Sequence, residues 1–342
     1  MRAQVTVTFM RIAFWVVMAL ACASGCAGNL KVDPYAPKVG GVIAATTAGS
    51  VPDVRCAGKP ETGKKRGFHK LRHKIVTRFA YADHRGFDLI ATSDDPQVLS
   101  GKLAYGVIDK KLDGEEVDLF ACVAGAWQPV GTAKTDGSGK FALPLDGAAR
   151  LPVGLRDIYG SVVADRTGFR FLAYVAPAEV KLVITDVDGT LTAHESSFAK
   201  AVIIGGKVKP HPGAAASLRA VTERGYQVVY VTARPDRFTD ATRAWLGNNG
   251  FPRGPVRLAD ALWLKPGAAT IAYKTRVLDG LNHFEVAAGV GNRTSDVRAY
   301  TAAGLAAGRI FVKLPEYRGE LGASLRAGAA VGFGTYGTLP VH

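Results

Sequence analysis

Hydrophobic positions keep two different rhythms along this chain, and the change falls near residue 180. From Ile75 to about Ala178 they come in short runs broken by turn residues. Lys102 to Ile108, Glu116 to Val123, Gln128 to Thr132, Lys140 to Leu145 and Phe169 to Val175 read as strands, with Asp113-Gly114 and Asp136-Gly137-Ser138-Gly139 as turns. No helix-length amphipathic run intervenes, so residues 75–178 are expected to form an all-β sandwich. From Val180 onward strands alternate with helices. Leu182 to Thr185, Tyr226 to Thr232, Glu285 to Val290 and Arg309 to Val312 read as strands; Gly213 to Arg224, Asp236 to Asn249, Ala268 to Leu281 and Ser295 to Ala303 read as helices. Ala214, Leu218 and Val221 fall at helical spacing, and Gly225 and Gly250 stop their helices. This βαβα order predicts a parallel sheet with helices on both faces and a site at the carboxyl ends of its strands.

Ahead of Ile75 no period is sustained. Arg11 precedes a short apolar stretch, Ile12 to Ala21, followed by Ala23-Ser24-Gly25-Cys26. The apolar stretch is too short to span a bilayer and has the layout of an export signal. It resembles a bacterial lipoprotein signal, read from Met1 or from Met10, with residues 1–25 removed and Cys26 lipidated; an ordinary signal peptide is the alternative. Either way the expected location is outside the cytoplasm, anchored at a membrane in the lipoprotein case. Residues 26–74 then read as a tether that ends in a basic segment. In that segment Lys59, Lys64, Lys65, Arg66, Lys70, Arg72, Lys74 and Arg78 face only one acid, Glu61, with Phe68 and Leu71 interleaved. It suits either an anionic membrane surface or a solvated linker.

At 342 residues and 48% hydrophobic composition the chain has room for two domains, here 75–178 and 179–316, with a Gly- and Ala-rich tail over 317–342. The net charge is +14, to which Arg2 and Arg11 contribute two. Positive charge attracts anionic lipid and nucleic acid, and export favours lipid. The basic residues also lack the aromatic stacking platform that nucleic acid requires. Four cysteines show no C-x-x-C spacing, so a zinc site is not expected; in an oxidising compartment Cys56 and Cys122 are a possible pair.

Chemistry concentrates at the predicted strand ends. In Leu182 to Thr192, LVITDVDGTLT, an apolar run stops at two carboxylates, Asp186 and Asp188, followed by Gly189. Acids held so close need a cation between them or a shared proton, and Mg²⁺ prefers oxygen ligands. VVYVTARP ends a second strand at Thr232, where the following N–H groups are free to grip a phosphate oxygen. Lys274, in AYKTRVL, is by itself an ordinary helix lysine. Asp296, in GVGNRTSD, stands at a helix start, where it either caps the helix or completes a metal shell. Asp83, His84 and Asp88 are scattered among turns and read as solvated or structural.

DVDGT resembles the first motif of the haloacid dehalogenase (HAD) phosphohydrolases, and the later elements follow in that superfamily's order. The resemblance implies Asp186 as nucleophile, Asp188 as general acid/base, and Thr232, Asn292 and Lys274 as phosphate ligands, with Arg234 either a further contact or a surface arginine. It implies Mg²⁺ held by Asp186, the Asp188 carbonyl and Asp296. GYQVVYVTARPD, GNNGFPRGPVRLAD and AAGVGNRTSDVRAYTAAGL look like the LNS2 domain of lipins, which are Mg²⁺-dependent phosphatidate phosphatases, and of RdgB/Nir-type phosphatidylinositol-transfer proteins. In the transfer-protein version the first motif has lost its nucleophile; here both aspartates are present. The stretch from Trp127 through TAKTDGSGKFALPL is similar to Ig-like or transthyretin-like modules.

Only 41 residues separate Thr190 from Val231, so a large cap has no room, though a small flap from His194 to Val208 does. The expected fold is therefore α/β, a HAD-like Rossmannoid parallel sheet without a large cap, preceded by a smaller β-sandwich. An open site suits a phosphate presented on a surface. The expected activity is phosphatidate phosphatase action on phosphatidic acid through an aspartyl-phosphate. Two alternatives remain: a phosphatidic-acid-binding module with little turnover, and a phosphatase for a soluble periplasmic phosphoester.

Overall fold

A computed structural model describes residues 41–43, 51–106, 108–177, 179–193, 208–261, 264–265, 267–339 and 341. The expected leader, Cys26, residues 26–40 and 44–50 of the tether and the flap up to residue 207 lie outside the described residues.

The first domain is a sandwich of two sheets. Gly41–Ile43, Asp53–Arg55, Leu89–Thr92, Glu116–Val123, Ala126–Lys134, Gly154–Val162 and Gly168–Ala176 form one sheet; Arg85–Phe87, Gln97–Lys102 and Lys140–Leu145 form the other. Leu99, Phe141 and Leu145 from the small sheet meet Leu119, Ile158, Phe171 and Ala173 from the large one in a shared core. Of the strand expected over Lys102 to Ile108 only Ala104–Tyr105 forms, pairing with Lys110–Lys111; the longer strand lies earlier, at Gln97–Lys102, where the alternate residues Gln97, Leu99 and Gly101 are buried. Gly154–Val162 was not expected as a strand. All nine of its positions are buried, Arg156 and Asp157 included, so it carries no polar alternation to read.

The domain also starts earlier than residue 75. Asp53–Arg55 pairs in parallel with Gly154–Val162, and Cys56 is disulfide-bonded to Cys122 with 5.7 Å between Cα atoms. The basic segment is accordingly no free linker. Arg66 and Gly67 donate backbone N–H groups to Val163 and Ala164, and Leu71–Phe79 forms a helix. His73 pins that helix, its ring nitrogens 2.6 Å from Glu115 and 3.2 Å from Asp113.

The second domain holds six parallel strands: Lys181–Thr185, Gln227–Pro235, Val256–Ala259, Glu285–Gly291, Ile310–Lys313 and Val331–Phe333. They lie side by side in the order third, second, first, fourth, fifth, sixth. Side chains alternate across the first strand. Leu182 and Ile184 pack under Leu278, Val297 and Leu321 from three helices, while Val183 faces Leu218, Val221 and Leu246 from two others. Helices therefore cover both faces. The tail expected after residue 316 instead belongs to this domain, supplying the helix Arg318–Arg326 and the sixth strand. Among the described residues no large cap interrupts the sheet, and no helix is long and apolar enough to cross a membrane.

The two domains share a core. Ile90, Leu155, Leu172 and Tyr174 of the sandwich pack in the same cluster as Leu182, Val229 and Ile310. Asp88, expected among turns, is buried at this junction and paired with Arg243 of the second domain.

Candidate active site

In an open parallel sheet the strand order reverses at one point, and there the connections leave in opposite directions and open a crevice. Here the reversal lies between the first strand, Lys181–Thr185, and the fourth, Glu285–Gly291. Asp186 follows the first of these and Asn292 the second. Backbone pairing continues one residue beyond the strand, as Asp186 N donates to Val290 O at 2.9 Å. Gly189, with φ of 72°, then turns the chain away.

Lys274 comes up beneath this point from the helix Ala268–Asp279. That helix buries Thr270, Lys274 and Leu278, spaced by four, so Lys274 sits on the inward stripe rather than in solvent. Its ammonium bridges two acids, 2.6 Å from Asp186 Oδ1 and 2.5 Å from Asp296 Oδ1. Asp186 Oδ2 accepts from Thr190 Oγ1 at 3.1 Å. The other oxygen of Asp296 accepts the N–H groups of Asn292 at 3.0 Å and Arg293 at 2.9 Å, so this residue both caps its helix and faces the site. A side chain at Gly291 would put a Cβ 2.4 Å from that of Asp296, which explains the glycine there.

Burial pushes the Asp186 carboxyl up to about 7; Lys274 opposes this, and Asp296 and Asp188 add to it by repulsion. Desolvation would lower Lys274, but the two carboxylates hold it well above its usual value and so protonated. One ammonium against two acids leaves an excess of negative charge in a buried place.

Asp188 is arranged differently. Its carboxylate accepts two bonds from Arg234, at 2.7 and 2.8 Å, and a third from Thr232 Oγ1 at 3.1 Å. Arg234 is buried and also donates to Thr242 Oγ1 at 2.9 Å. It is thus no surface arginine, and it orients Asp188. Asn292 is buried, with Oδ1 3.2 Å from Thr190 Oγ1 and an Nδ2 that has no partner among the described residues. A buried donor left unpaired is costly unless a ligand takes it up.

The donor set fits a hard divalent cation. Asp186 and Asp296 converge on one point, both offer oxygen, and their charge exceeds what Lys274 neutralises. Among the described residues no third acidic, histidine or cysteine side chain joins them. A site of two carboxylates suits Mg²⁺, which keeps several waters. The Asp188 side chain does not join this pair, being held by Arg234.

Thr190, Tyr300, Tyr336 and Thr242 complete the site and were not anticipated. Tyr300 Oη donates to Val290 O at 2.9 Å and Tyr336 Oη to Thr190 O at 2.6 Å. Thr190 was legible, being part of DVDGT. Tyr336 lies 146 residues from its partner and carried no signal.

Two family models match this chain. Residues 183–313 match one described as "PITM 1-3, LNS2 domain", and residues 82–175 match "PITM 1-3, beta-sandwich domain". The first span contains the site residues from Asp186 to Asp296. Human membrane-associated phosphatidylinositol transfer protein 3 is 30% identical over 247 residues, 71% of this chain and 24% of that protein. Protein retinal degeneration B of Drosophila melanogaster is 29% identical over 269 residues, 77% of this chain and 20% of that one. The solved D,D-heptose 1.7-bisphosphate phosphatase from B. bronchiseptica aligns with 46% of this chain and 94% of its own, at 17% identity and a TM-score of 0.36. The chain thus spans about a quarter or less of the curated relatives' length, and its two matched segments fall within the sandwich and within the parallel-sheet domain in turn.

Proposed function

We propose that this chain is a Mg²⁺-dependent phosphatase for a lipid phosphate monoester, with phosphatidic acid as substrate and diacylglycerol and phosphate as products. The observation that carries this is Asp186, buried at the switch point between Lys274 and Thr190 with one face toward Asp296. The relatives' description as membrane-associated phosphatidylinositol transfer proteins supports a phospholipid ligand.

In this reading an Asp186 oxygen attacks phosphorus in line, the bond to the diacylglycerol oxygen breaks, and Asp188 delivers a proton to that oxygen. Water then attacks the aspartyl-phosphate, Asp188 takes its proton, and Asp186 leaves as the carboxylate. Asp188 must release one oxygen from Arg234 to do this. Lys274 offsets the charge of the phosphate, Asn292 Nδ2 offers it an unused donor, and the N–H groups after Thr232 lie at the same strand end. Mg²⁺, held by Asp186, Asp296 and the Asp188 carbonyl, would supply charge stabilisation of the transferring phosphoryl group. The enzyme would be exported and anchored through lipid on Cys26, which acyl labelling lost in Cys26→Ala would check. The Cys56–Cys122 disulfide supports an oxidising compartment.

Phosphate release from phosphatidic acid vesicles, with and without Mg²⁺, tests the proposal. Turnover that requires the metal and disappears in Asp186→Asn is the expected result. A second reading, phosphatidic acid binding without turnover, is favoured by the two-pronged hold of Arg234 on Asp188. No phosphate release, with vesicle binding intact in both proteins, would replace the first reading with this one.

A further inference from the structure

The helix Leu71–Phe79 packs on the sandwich by one side only. His73, Val76 and the following Ala80 face inward, His73 held by Asp113 and Glu115, Val76 and Ala80 against the core. At about 100° per residue, Leu71, Ile75 and Phe79 fall together on the opposite side. They are 72%, 55% and 83% exposed, and with Ile108 they are the four most exposed large hydrophobics among the described residues. Ile108, 65% exposed, stands in the adjoining loop, whose Gly106 N–H donates to Tyr81 O at 2.9 Å. Single exposed apolar residues are ordinary; a ridge of three on one helix is not.

Basic residues flank this ridge. Arg78 and Lys74 lie on one side of it and Arg72 on the other, by the same helical spacing. Arg72 shares Asp113 with Lys70, whereas Lys74 and Arg78 are exposed and form no ion pair among the described residues. Lys110 and Lys111 follow Ile108 and are exposed as well. An apolar ridge with a cationic border is the pattern of a helix that lies in an anionic membrane interface.

The helix is also tied to the catalytic end of the other domain. Two residues after Phe79, Tyr81 Oη receives Arg237 Nη2 at 3.1 Å, and Asp83 lies 3.5 Å from the same guanidinium. Arg85 Nε is 3.0 Å from Asp236. Asp236 and Arg237 directly follow the strand Gln227–Pro235, whose Arg234 holds Asp188.

We propose that Leu71–Phe79 is a membrane-docking helix that sets its Leu71, Ile75 and Phe79 ridge into an anionic bilayer and brings the carboxyl edge of the parallel sheet up to the lipid headgroups. The purpose assigned to the docking rests on the lipid reading above; the docking itself does not. It is therefore tested on phosphatidylserine vesicles free of phosphatidic acid, by flotation of the full chain. All proteins compared carry Cys26→Ala, so a lipid anchor contributes to none. Leu71→Ser/Ile75→Ser/Phe79→Ser is expected to weaken binding on the order of 100-fold. Lys74→Glu/Arg78→Glu is expected to weaken it about 30-fold and to blunt its salt dependence. Both variants should melt as the parent does, because the changed side chains are exposed. Vesicle binding by the triple variant equal to the parent's would overturn the proposal. So would a parent that sediments as a dimer and a triple variant that sediments as a monomer, since the ridge would then cover a second copy of the chain.

Discussion

A buried charge is tolerated only with a partner, and the residues of this site sort by how each finds one. Lys274 has two acids, Asp188 has Arg234, and Asn292 Nδ2 has none among the described residues, which marks where a ligand's oxygen would be welcome. His84 solves the problem by staying neutral. Burial pulls its pKa down to about 4, Arg85 adding to this and Asp165 opposing it. Its Nε2 is 2.9 Å from Thr167 Oγ1, and its Nδ1 accepts from Ala104 N at 3.2 Å. Because the folded value lies below the unfolded one, the unfolded chain binds a proton first as the pH falls. Stability is therefore full above about pH 6.5 and declines toward pH 4, by no more than about 3 kcal/mol from this group. Urea midpoints at pH 7 and pH 5 check this: His84→Gln should narrow the gap between them, and an unchanged gap would remove His84 as its source. At this scale the acids were legible because their spacing states the chemistry. Arg234 was not, since its meaning depends on Asp188, 46 positions earlier in the chain.

At the scale of elements, what could be read from sequence depended on alternation. Glu116–Val123 and Lys140–Leu145 lie where the pattern predicts them, and the helices Ala214–Glu223 and Ala268–Asp279 fall within their expected spans. The failures have a common cause. Gly154–Val162 is buried along its length and Val331–Phe333 is three residues long, so neither displays a period. The second omission matters for the site. The sixth strand leads into Tyr336, whose ring meets Phe333 edge-on at 5.2 Å and whose hydroxyl reaches Thr190 O. Thr190 in turn donates to Asp186, so a stretch that reads as a tail steadies the Asp186 loop. Tyr336→Phe keeps the ring and removes the donor, leaving the Thr190 carbonyl without it in a buried place. The expected cost is about 1–2 kcal/mol, seen as a lower urea midpoint at constant slope. A midpoint equal to the parent's would show that this bond carries no stability.

For the whole molecule, the contacts between domains set how it unfolds. Nothing in the sequence foretold them, because each joins residues that either domain alone would leave in solvent. Asp88 is the hub. Its Oδ1 accepts Leu172 N at 2.8 Å within the sandwich, and its Oδ2 accepts Val256 N at 2.8 Å in the parallel-sheet domain, where Arg243 Nη2 reaches both oxygens at 3.0 and 3.1 Å. Arg253 extends the junction by pairing with Asp53 and Asp157 of the sandwich. Beneath these pairs the two domains bury one hydrophobic cluster, so neither can open without exposing its neighbour's core. The expected behaviour is one cooperative transition in calorimetry rather than two. Asp88→Ala takes the buried carboxylate from Arg243 and from two backbone donors, a loss of about 3–5 kcal/mol. Since the junction belongs to both domains, that loss should move the single transition as a whole. Two resolved transitions in the parent, with only one displaced by Asp88→Ala, would mean that the domains fold separately. The helix Leu71–Phe79 would then hold the carboxyl edge of the parallel sheet only loosely, and the proposed docking would no longer fix where that edge meets a bilayer.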